Sequence, residues 1–263
     1  MRTLWLAFLA ALVAFPVAAQ TYATITVQVT DPVLKPSGNH RIDREASVWD
    51  GRANCAPMVA APLVMVFHGG AGDPSSMKAM FPPQGCAVVA YVAGSDKRSG
   101  TIYYRVTHTN LSWNAYAVPE QGWSGVNGVD ENQFLLALKS KLVAQYGTTR
   151  TYGVGLSKGG MLVHHAACDL GLFEAIATVA ATIADPTCTP AVKAPLHHTH
   201  GLADTRVCWE FTGTSCNPWP VAKPGIEAWQ ATGGPHVLTL LPGVVHGWPA
   251  GTTAAIWAWL AGL

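Results

Sequence analysis

A series of short apolar runs, each closed by glycine, proline or polar residues, constrains the fold of this 263-residue chain most strongly. Six of these runs lie at Pro62–His68, Cys86–Ala93, Thr151–Leu156, Ala175–Ala181, Leu196–His200 and His236–Leu241. Continuous apolar runs are typical of strands that are buried on both faces of a parallel sheet. A further segment, Ala23–Thr30, alternates apolar and polar residues, which predicts a leading, half-exposed strand.

Segments with helical spacing lie between these runs, at Asp130–Tyr146, Lys158–Cys168, Gly225–Ala231 and Thr252–Ala261. In the first of them, apolar residues recur every three to four positions behind an acidic start at Asp130 and Glu131. Strands that alternate with helices predict an α/β protein with a mostly parallel central sheet flanked by helices. No repeat, low-complexity tract or linker interrupts the pattern, so residues 20–263 are predicted to form one domain.

The first 19 residues differ from the rest. Arg2 is followed by an uncharged, mostly apolar run to Phe15 and then by small residues that end at Ala19. This order predicts a secretory signal peptide over residues 1–19, cleaved after Ala19. A membrane anchor is the alternative, but the run is short for a span of about 20 residues. The mature protein is therefore expected to be secreted, extracellular or periplasmic, and to keep no stable membrane anchor.

The charge balance argues against several kinds of partner. The chain has 16 Lys+Arg and 15 Asp+Glu, and no basic stripe or acidic tail stands out. A nucleic-acid or polyanion partner is therefore not indicated. No cofactor-binding motif is recognised, and no cofactor is predicted.

All the cysteines follow the predicted cleavage site: Cys55, Cys86, Cys168, Cys188, Cys208 and Cys216. An even number of cysteines in an exported chain indicates disulfides, although sequence alone does not fix the pairing. The sequential set, Cys55–Cys86, Cys168–Cys188 and Cys208–Cys216, is favoured because each bond closes a short or moderate loop. The alternative is that some are free, buried thiols. A metal site is less favoured, because no C-x-x-C spacing occurs.

The sharpest chemical signal is the pentapeptide Gly155-Leu156-Ser157-Lys158-Gly159. A bare G-x-S-x-G is weak, but here it stands between a predicted strand and a predicted helix. That context is the one of a nucleophile elbow, in which a strained turn pushes the serine hydroxyl out of the sheet. Ser157 is therefore the predicted nucleophile, and the backbone N–H of Lys158 is a predicted oxyanion donor. The alternative is an ordinary glycine-rich turn.

A second oxyanion donor is expected from a loop beside the elbow. His68-Gly69-Gly70 ends the apolar run at Pro62 and fits this role. The backbone N–H of Gly70 or Ala71 is the predicted donor, whereas His68 is predicted to hold the loop.

An acid and a base must follow the nucleophile in that order. Asp204 comes after the strand that ends at His200 and a glycine turn, and is the predicted acid. Asp169 and Asp185 are weaker alternatives, since one is at a helix end and the other is beside a proline. His246, in the loop after the last predicted strand, is the predicted base.

The remaining histidines raise the question of a metal site: His164, His165, His197, His198 and His200. Neighbours on a helix point in different directions, and on the strand only His198 and His200 share a face. Structural roles are therefore favoured, and no metal site is predicted.

Together these segments resemble the secreted feruloyl esterase and polyhydroxybutyrate depolymerase-like branch of the α/β hydrolases. The matching pieces are Leu63–Gly70, Trp113-Asn114, Val129–Glu131, Phe134-Leu135, Gly155–Met161, Cys168, His200-Gly201-x-x-Asp204 and His246–Pro249. The resemblance implies the α/β-hydrolase fold and the triad Ser157, Asp204 and His246, and it supports the Cys168–Cys188 pairing. Lys158 departs from the family pattern, where a small or amide-bearing residue is common, and a cation there is expected to shift preference toward acidic substrates.

Substrate preference is predicted from aromatic residues. Gly100–Asn127 has no clear period and is interpreted as a long, functional loop. Trp113 and Trp123 in this loop, with Trp248 beside the base, are the predicted substrate-binding residues for a phenolic acyl group or sugar. The favoured function is a serine esterase acting on feruloyl or related aryl esters. A polyester depolymerase, a peptidase and a non-catalytic binding protein on a hydrolase scaffold are the alternatives.

Overall fold

The structure is a computed structural model that describes residues 20–30, 41–98, 101–103, 111–114, 130–185, 188, 194–211 and 219–263. The strands are β1 (Ala23–Thr30), β2 (Arg41–Asp50), β3 (Leu63–Phe67), β4 (Val88–Val92), β5 (Asp96–Arg98), β6 (Thr101–Tyr103), β7 (Thr151–Leu156), β8 (Ala175–Val179), β9 (Leu196–Gly201) and β10 (Val237–Leu241). The helices are α1 (Pro74–Met80), α2 (Glu131–Tyr146), α3 (Lys158–Asp169), α4 (Ala222–Gln230) and α5 (Thr252–Ala261), with one 3₁₀ turn at Arg52–Asn54.

Eight strands form one sheet in the order β1-β2-β4-β3-β7-β8-β9-β10. Strand β2 runs antiparallel to both of its neighbours, and all the pairings from β4 to β10 are parallel. The small strands β5 and β6 pair only with each other. The predicted mostly parallel central sheet is confirmed, and every predicted strand and helix lies within a few residues of an observed one.

The core consists of two apolar layers, one on each face of the sheet. Helices α2, α3 and α4 cover one face, and α1 and α5 cover the other. In β3, Leu63, Met65 and Phe67 face the first layer, while Val64 and Val66 face the second. Both faces of the central strands are therefore buried, which explains why their sequences are continuously apolar.

Strand β2 is the main element that the apolar pattern did not predict. Its sequence carries charged residues, and one of them, Arg44, lies in the core with 1% of its surface exposed. The guanidinium donates to the Glu131 carboxylate at 2.7 Å and lies over the Phe134 ring at 3.9 Å. A charge can be buried when it is paired in this way, so the strand escapes a search for apolar runs.

Helix α1 was also missed, although its start has a recognisable cap. Asp73 caps the helix by accepting from the Ser76 N–H, and the Ser76 hydroxyl lies 3.2 Å from the Asp73 N–H that it accepts from. Pro74 stands at the first helical position, as is common.

Two of the predicted disulfides are present, Cys55–Cys86 and Cys168–Cys188. Cys208 is also disulfide-bonded, but its predicted partner, Cys216, lies outside the described residues, so that pairing stays a prediction. Residues 1–19, the predicted signal peptide, lie outside them as well. Within the described ranges, none of the helices has the length and apolar character that a membrane span requires.

Candidate active site

Ser157 occupies the turn between β7 and α3, with φ 51° and ψ −120°. A non-glycine residue in this left-handed region is strained. The glycines around it are required by close packing. A Cβ on Gly155 would lie 2.6 Å from the main chain of Gly159, and a Cβ on Gly159 would overlap the main-chain oxygens of Phe67 and His68. The strand, turn and helix expected of a nucleophile elbow are therefore present.

The three residues predicted to act together are connected by hydrogen bonds. Ser157 Oγ lies 3.0 Å from His246 Nε2, and His246 Nδ1 lies 2.7 Å from Asp204 Oδ2. Because a carboxylate only accepts, Nδ1 carries the proton and Nε2 of the neutral ring faces the serine hydroxyl as an acceptor. His246 is thus placed to remove the serine proton. Its side chain is 18% exposed, whereas that of Asp204 is fully buried.

The acid loop (residues 202–207) follows β9 and turns tightly around the Asp204 carboxylate. Asp204 Oδ1 accepts from the main-chain N–H groups of Arg206 and Val207 at 2.8 and 2.9 Å. These two bonds satisfy the oxygen that does not face the base. They hold the buried side chain in place, since buried polar groups are normally hydrogen-bonded.

The base loop (residues 242–248) follows β10, the parallel neighbour of β9. It bonds directly to the acid loop, because the Ala203 N–H donates to the Val244 carbonyl at 2.9 Å. Gly201 touches the same carbonyl so closely that a Cβ would overlap it. The two loops therefore place Asp204 and His246 as one unit.

The oxyanion loop (residues 69–72) lies against the start of α3. Gly70 and Ala71 are exposed, and Ala71 adopts φ 62°. A Cβ built on Gly70 would lie 3.8 Å from Lys158 Cδ, so the loop and the elbow are in contact. The donor roles of Gly70, Ala71 and Lys158 remain predictions.

His68 and Trp113 support this loop from inside the protein. His68 Nδ1–H donates to the Gly69 carbonyl at 2.8 Å, and His68 Nε2 accepts from the Gly94 N–H at 3.1 Å. Burial lowers the pKa of His68 to about 4, so the ring is neutral, as this pattern requires. The Trp113 indole donates to the His68 carbonyl at 2.8 Å and packs 4.8 Å from its ring.

The predicted substrate-binding role of Trp113 is wrong, because the residue is 0% exposed and presents no ring surface to a ligand. A buried indole N–H needs a hydrogen-bond acceptor, and that of Trp113 donates to the main-chain carbonyl of His68, the residue that supports the oxyanion loop. Trp248 is half-buried, donates to the Thr253 hydroxyl at 3.0 Å and packs on Phe81. Its role stays a prediction. Trp123 lies outside the described residues, as does most of Gly100–Asn127.

Lys158 places a cation beside Ser157. The residue is 8% exposed, and its ammonium lies 5.8 Å over the Trp219 ring. Burial lowers the pKa of Lys158 to about 8, against an opposing effect of the nearby Glu131 carboxylate. Lys158 therefore titrates close to neutral pH, which the elbow sequence alone did not indicate.

A second Asp–His contact exists elsewhere in the core. His165 Nδ1 lies 2.6 Å from Asp185 and 3.2 Å from Asp169, while Nε2 lies 2.8 Å from Asn132 Oδ1. The histidine and both carboxylates have donor atoms within 4.8 Å of one another, the spacing of a metal site. In the structure these atoms instead bond to one another. His164 points away toward Thr178, as expected for neighbours on a helix.

A cavity of about 420 Å³ lies at the opposite end of the sheet from Ser157. It is lined by residues at the starts of β3 and β7, including Val64 and Tyr152, and by Val59, Trp257 and Leu260. It is separate from the triad, which follows the carboxyl ends of β7, β9 and β10. Ligands of parallel α/β sheets bind outside those carboxyl ends.

No protein-family model and no curated protein matches the chain. Solved structures do match it. Esterase PE8 is 18% identical with a TM-score of 0.56, over 82% of this chain and 97% of that one. A carboxylesterase from Mesorhizobium loti is 13% identical with a TM-score of 0.56, over 89% and 100%. An α/β serine hydrolase without a lid from Xanthomonas campestris is 16% identical with a TM-score of 0.51, over 91% and 93%. At these identities the likeness concerns the fold, and the chain therefore has the α/β-hydrolase fold.

Proposed function

We propose that this protein is a serine carboxylic ester hydrolase that works through an acyl-enzyme. The observation that carries the proposal is the continuous hydrogen-bond path from Ser157 Oγ through His246 to Asp204, with distances of 3.0 and 2.7 Å. Ser157 itself has the strained φ of 51° expected of a nucleophile elbow. A buried carboxylate, an oriented imidazole and the hydroxyl of a half-buried serine are the parts that activate a serine for acyl transfer.

The proposed reaction has two halves. His246 Nε2 takes the Ser157 proton as the hydroxyl oxygen attacks the ester carbonyl, and Asp204 stabilises the imidazolium that forms. The N–H groups of Lys158 and of Gly70 or Ala71 hold the negative charge of the tetrahedral oxygen. His246 then protonates the leaving alcohol. Water, deprotonated by the same imidazole, releases the carboxylic acid and restores Ser157.

Secretion is part of the proposal. The sequence over residues 1–19 has the order of a signal peptide. The Cys55–Cys86 and Cys168–Cys188 disulfides support it, because such bonds persist in oxidising compartments and are rare in reducing ones.

Feruloyl or related aryl esters are the proposed substrates. Two half-buried indoles support an aromatic acyl group: Trp248 stands two residues from His246, and Trp219 lies under the Lys158 ammonium. Aromatic rings stack on such surfaces. Lys158 also provides a cation that would favour an ester carrying a negative group.

Polyester depolymerisation is the second candidate, and exposed apolar residues beside the triad favour it. Val245 is 66% exposed next to His246, and Leu202 is 45% exposed at the start of the acid loop. Because the two loops bond to each other, these side chains lie on neighbouring loops. Exposed apolar side chains at a site's rim are suited to adsorption on an apolar polymer.

Turnover tests the proposal directly. The purified protein is assayed on short p-nitrophenyl esters, methyl ferulate, polyhydroxybutyrate film and a peptide amide, each beside Ser157→Ala. Ester hydrolysis that Ser157→Ala abolishes supports the esterase. No ester hydrolysis contradicts the proposal and favours the binding-protein alternative. Hydrolysis that survives in Ser157→Ala contradicts Ser157 as the nucleophile. Amide cleavage that exceeds ester cleavage indicates a peptidase.

A matched pair of substitutions separates the two substrate classes. Val245→Ser removes an apolar group from the rim of the site, while Val59→Ser removes one of similar exposure, 54%, at the other end of the sheet. A polyester depolymerase should lose film hydrolysis in Val245→Ser alone and keep hydrolysis of soluble esters. An aryl esterase should show no such difference between the two variants.

A further inference from the structure

A chain of buried hydrogen bonds reaches the acid loop from helix α3. His164 Nε2 lies 3.1 Å from Thr178 Oγ1, which lies 2.8 Å from His198 Nδ1. His198 Nε2 lies 3.0 Å from His200 Nδ1, and His200 Nε2 lies 2.7 Å from the Val207 carbonyl. We call His164, Thr178, His198 and His200 the histidine chain. It connects α3, β8 and β9 to the loop that holds the proposed catalytic acid.

The last acceptor fixes the direction of every bond in this chain. The Val207 carbonyl can only accept, so His200 carries its proton on Nε2. Burial lowers the pKa of His200, so the ring is neutral and its Nδ1 must accept from His198 Nε2–H. The pKa of His198 is lowered further by the same cause, so its Nδ1 accepts from the Thr178 hydroxyl. That hydroxyl in turn accepts from His164 Nε2–H.

The end of the histidine chain lies against the carboxylate that faces the base. His200 Nε2 is 3.6 Å from Asp204 Oδ2, the oxygen that accepts from His246. Val207, whose carbonyl accepts from His200, also donates its N–H to the other carboxylate oxygen. His200 therefore holds the residue that holds Asp204. It does so as a neutral donor that leaves the negative charge of the carboxylate to His246.

We propose that His200 is a positioning residue for the proposed ester hydrolysis, kept in its Nε2–H form by the histidine chain so that Asp204 stays aimed at His246. This inference rests on the proposed function. A protonated His200 would turn a second N–H toward the N–H of His198, so the arrangement also opposes the charge that would compete with His246 for the carboxylate. Trp209, 5.6 Å from the His200 ring, closes the remaining side.

The same strand provides a matched control. His197 is 3% exposed and packs 5.6 Å from the Trp259 ring, on the face of β9 opposite to His198. Its Nδ1 makes no hydrogen bond within the described residues. His197→Phe and His200→Phe therefore make the same chemical change three residues apart on opposite faces of β9, and only His200→Phe touches the acid loop.

Kinetics on a soluble ester gives the first test. His200→Phe should lower kcat by about 10- to 100-fold with KM within about twofold, because the loss is one of orientation at the reacting centre. His200→Gln keeps an amide N–H for the Val207 carbonyl and should recover most of the rate. His197→Phe should stay within about twofold of the wild type. Equal losses in the two phenylalanine variants would overturn the proposal.

A double-mutant cycle shows whether His200 acts through Asp204. In an Asp204→Asn background, His200→Phe should change kcat by less than about twofold, because the group it positions is already lost. A general structural role predicts instead that the full factor of His200→Phe is added to that of Asp204→Asn. That additive result would refute the positioning role.

A spectroscopic test is independent of turnover. In the ¹⁵N-histidine-labelled protein, long-range ¹H–¹⁵N spectra should assign His164, His198 and His200 as neutral Nε2–H rings across the pH range of the folded protein. A Nδ1–H or doubly protonated His200 would overturn the proposal even if esters are hydrolysed. If no ester is hydrolysed, the proposed function and the positioning role both fall, while this spectrum still decides whether the histidine chain exists.

Discussion

Two aspartate–histidine pairs in this protein have nearly the same geometry at the carboxylate and differ at the other side of the ring. Asp204 and Asp185 lie 2.7 and 2.6 Å from Nδ1 of His246 and His165. The Nε2 of His246 faces the Ser157 hydroxyl, whereas that of His165 faces Asn132 Oδ1. Because an amide oxygen only accepts, the second ring must donate from Nε2 and has no lone pair there to act as a base.

The two histidines also differ in their exposure and in the elements that they contact. His246 stands on a loop after β10, and its side chain is 18% exposed. His165 is on α3, 3% exposed, and binds α2 through Asn132 and the segment after β8 through Asp185. An Asp–His contact is therefore not in itself evidence of catalysis. The atom beyond the histidine, and the access to it, distinguishes a base from a structural clamp.

The largest difference between the pairs should appear in activity. Asp204→Asn is expected to lower kcat on a p-nitrophenyl ester by about 10⁴-fold, as the loss of the orienting acid does in other serine hydrolases. Unfolding by urea should change far less, because the asparagine oxygen can still accept from the main chain. A variant that retains more than about a tenth of the rate would show that Asp204 does not orient the base.

The Cys168–Cys188 disulfide belongs to the region of the second pair, His165 and Asp185. The bond closes a loop with a sequence separation of 20 that contains Asp185. Replacing both cysteines by alanine should lower the free energy of unfolding by about 3 kcal/mol, mainly because the unfolded chain gains freedom. Below the unfolding transition kcat should be unchanged. A large loss of kcat in the folded variant would show that the clamp and the triad are coupled.

Lys158, beside Ser157, should make the free energy of unfolding depend on pH. Its pKa is 10.5 in the unfolded chain and about 8 in the folded protein. The unfolded chain thus binds more protons between these values, and the free energy of unfolding rises with pH across that window. Lys158→Met should lack this rise and be more stable at pH 7 by about 3 kcal/mol.

Urea unfolding of both proteins between pH 7 and 9.5 tests this expectation, and the difference between them isolates Lys158 from other titrating groups. Parallel curves would mean that burial does not disfavour the Lys158 charge. Because the proposed oxyanion donor is the main-chain N–H of Lys158, kcat of Lys158→Met on an uncharged ester should fall by less than about fivefold.

The smallest change is expected from Asp185→Asn, the counterpart of Asp204→Asn. The variant keeps an acceptor for His165 but loses the charge that strengthens the bond, so the free energy of unfolding should fall by about 1–2 kcal/mol. The rate on small esters should stay within about twofold of the wild type. A rate loss approaching that of Asp204→Asn would erase the distinction between the two pairs.

Sequence patterns predicted the sheet because strands such as β3 and β4 are buried on both faces and are continuously apolar. Strand β2 broke the rule, since Arg44 is buried against Glu131, 87 residues away, and nothing local marks a charge that will be paired. Trp113 shows the same limit for a side chain. Its aromatic character suggested a binding surface, but its exposure was decided by packing on His68 and Phe67.

The sequence by itself determined the setting of Ser157, the proposed nucleophile, because a strand, a turn with Gly155 and Gly159, and a helix are all local. It also determined the order of serine, acid and base along the chain. Only the tertiary structure decided which aspartate meets which histidine. Asp169 and Asp185 were weaker candidates for the acid, and both contact His165 instead. Asp204 reaches His246 because β9 and β10 are parallel neighbours whose following loops bond to each other. Hydrogen bonds between residues 42 apart depend on that adjacency, and no sequence period records it.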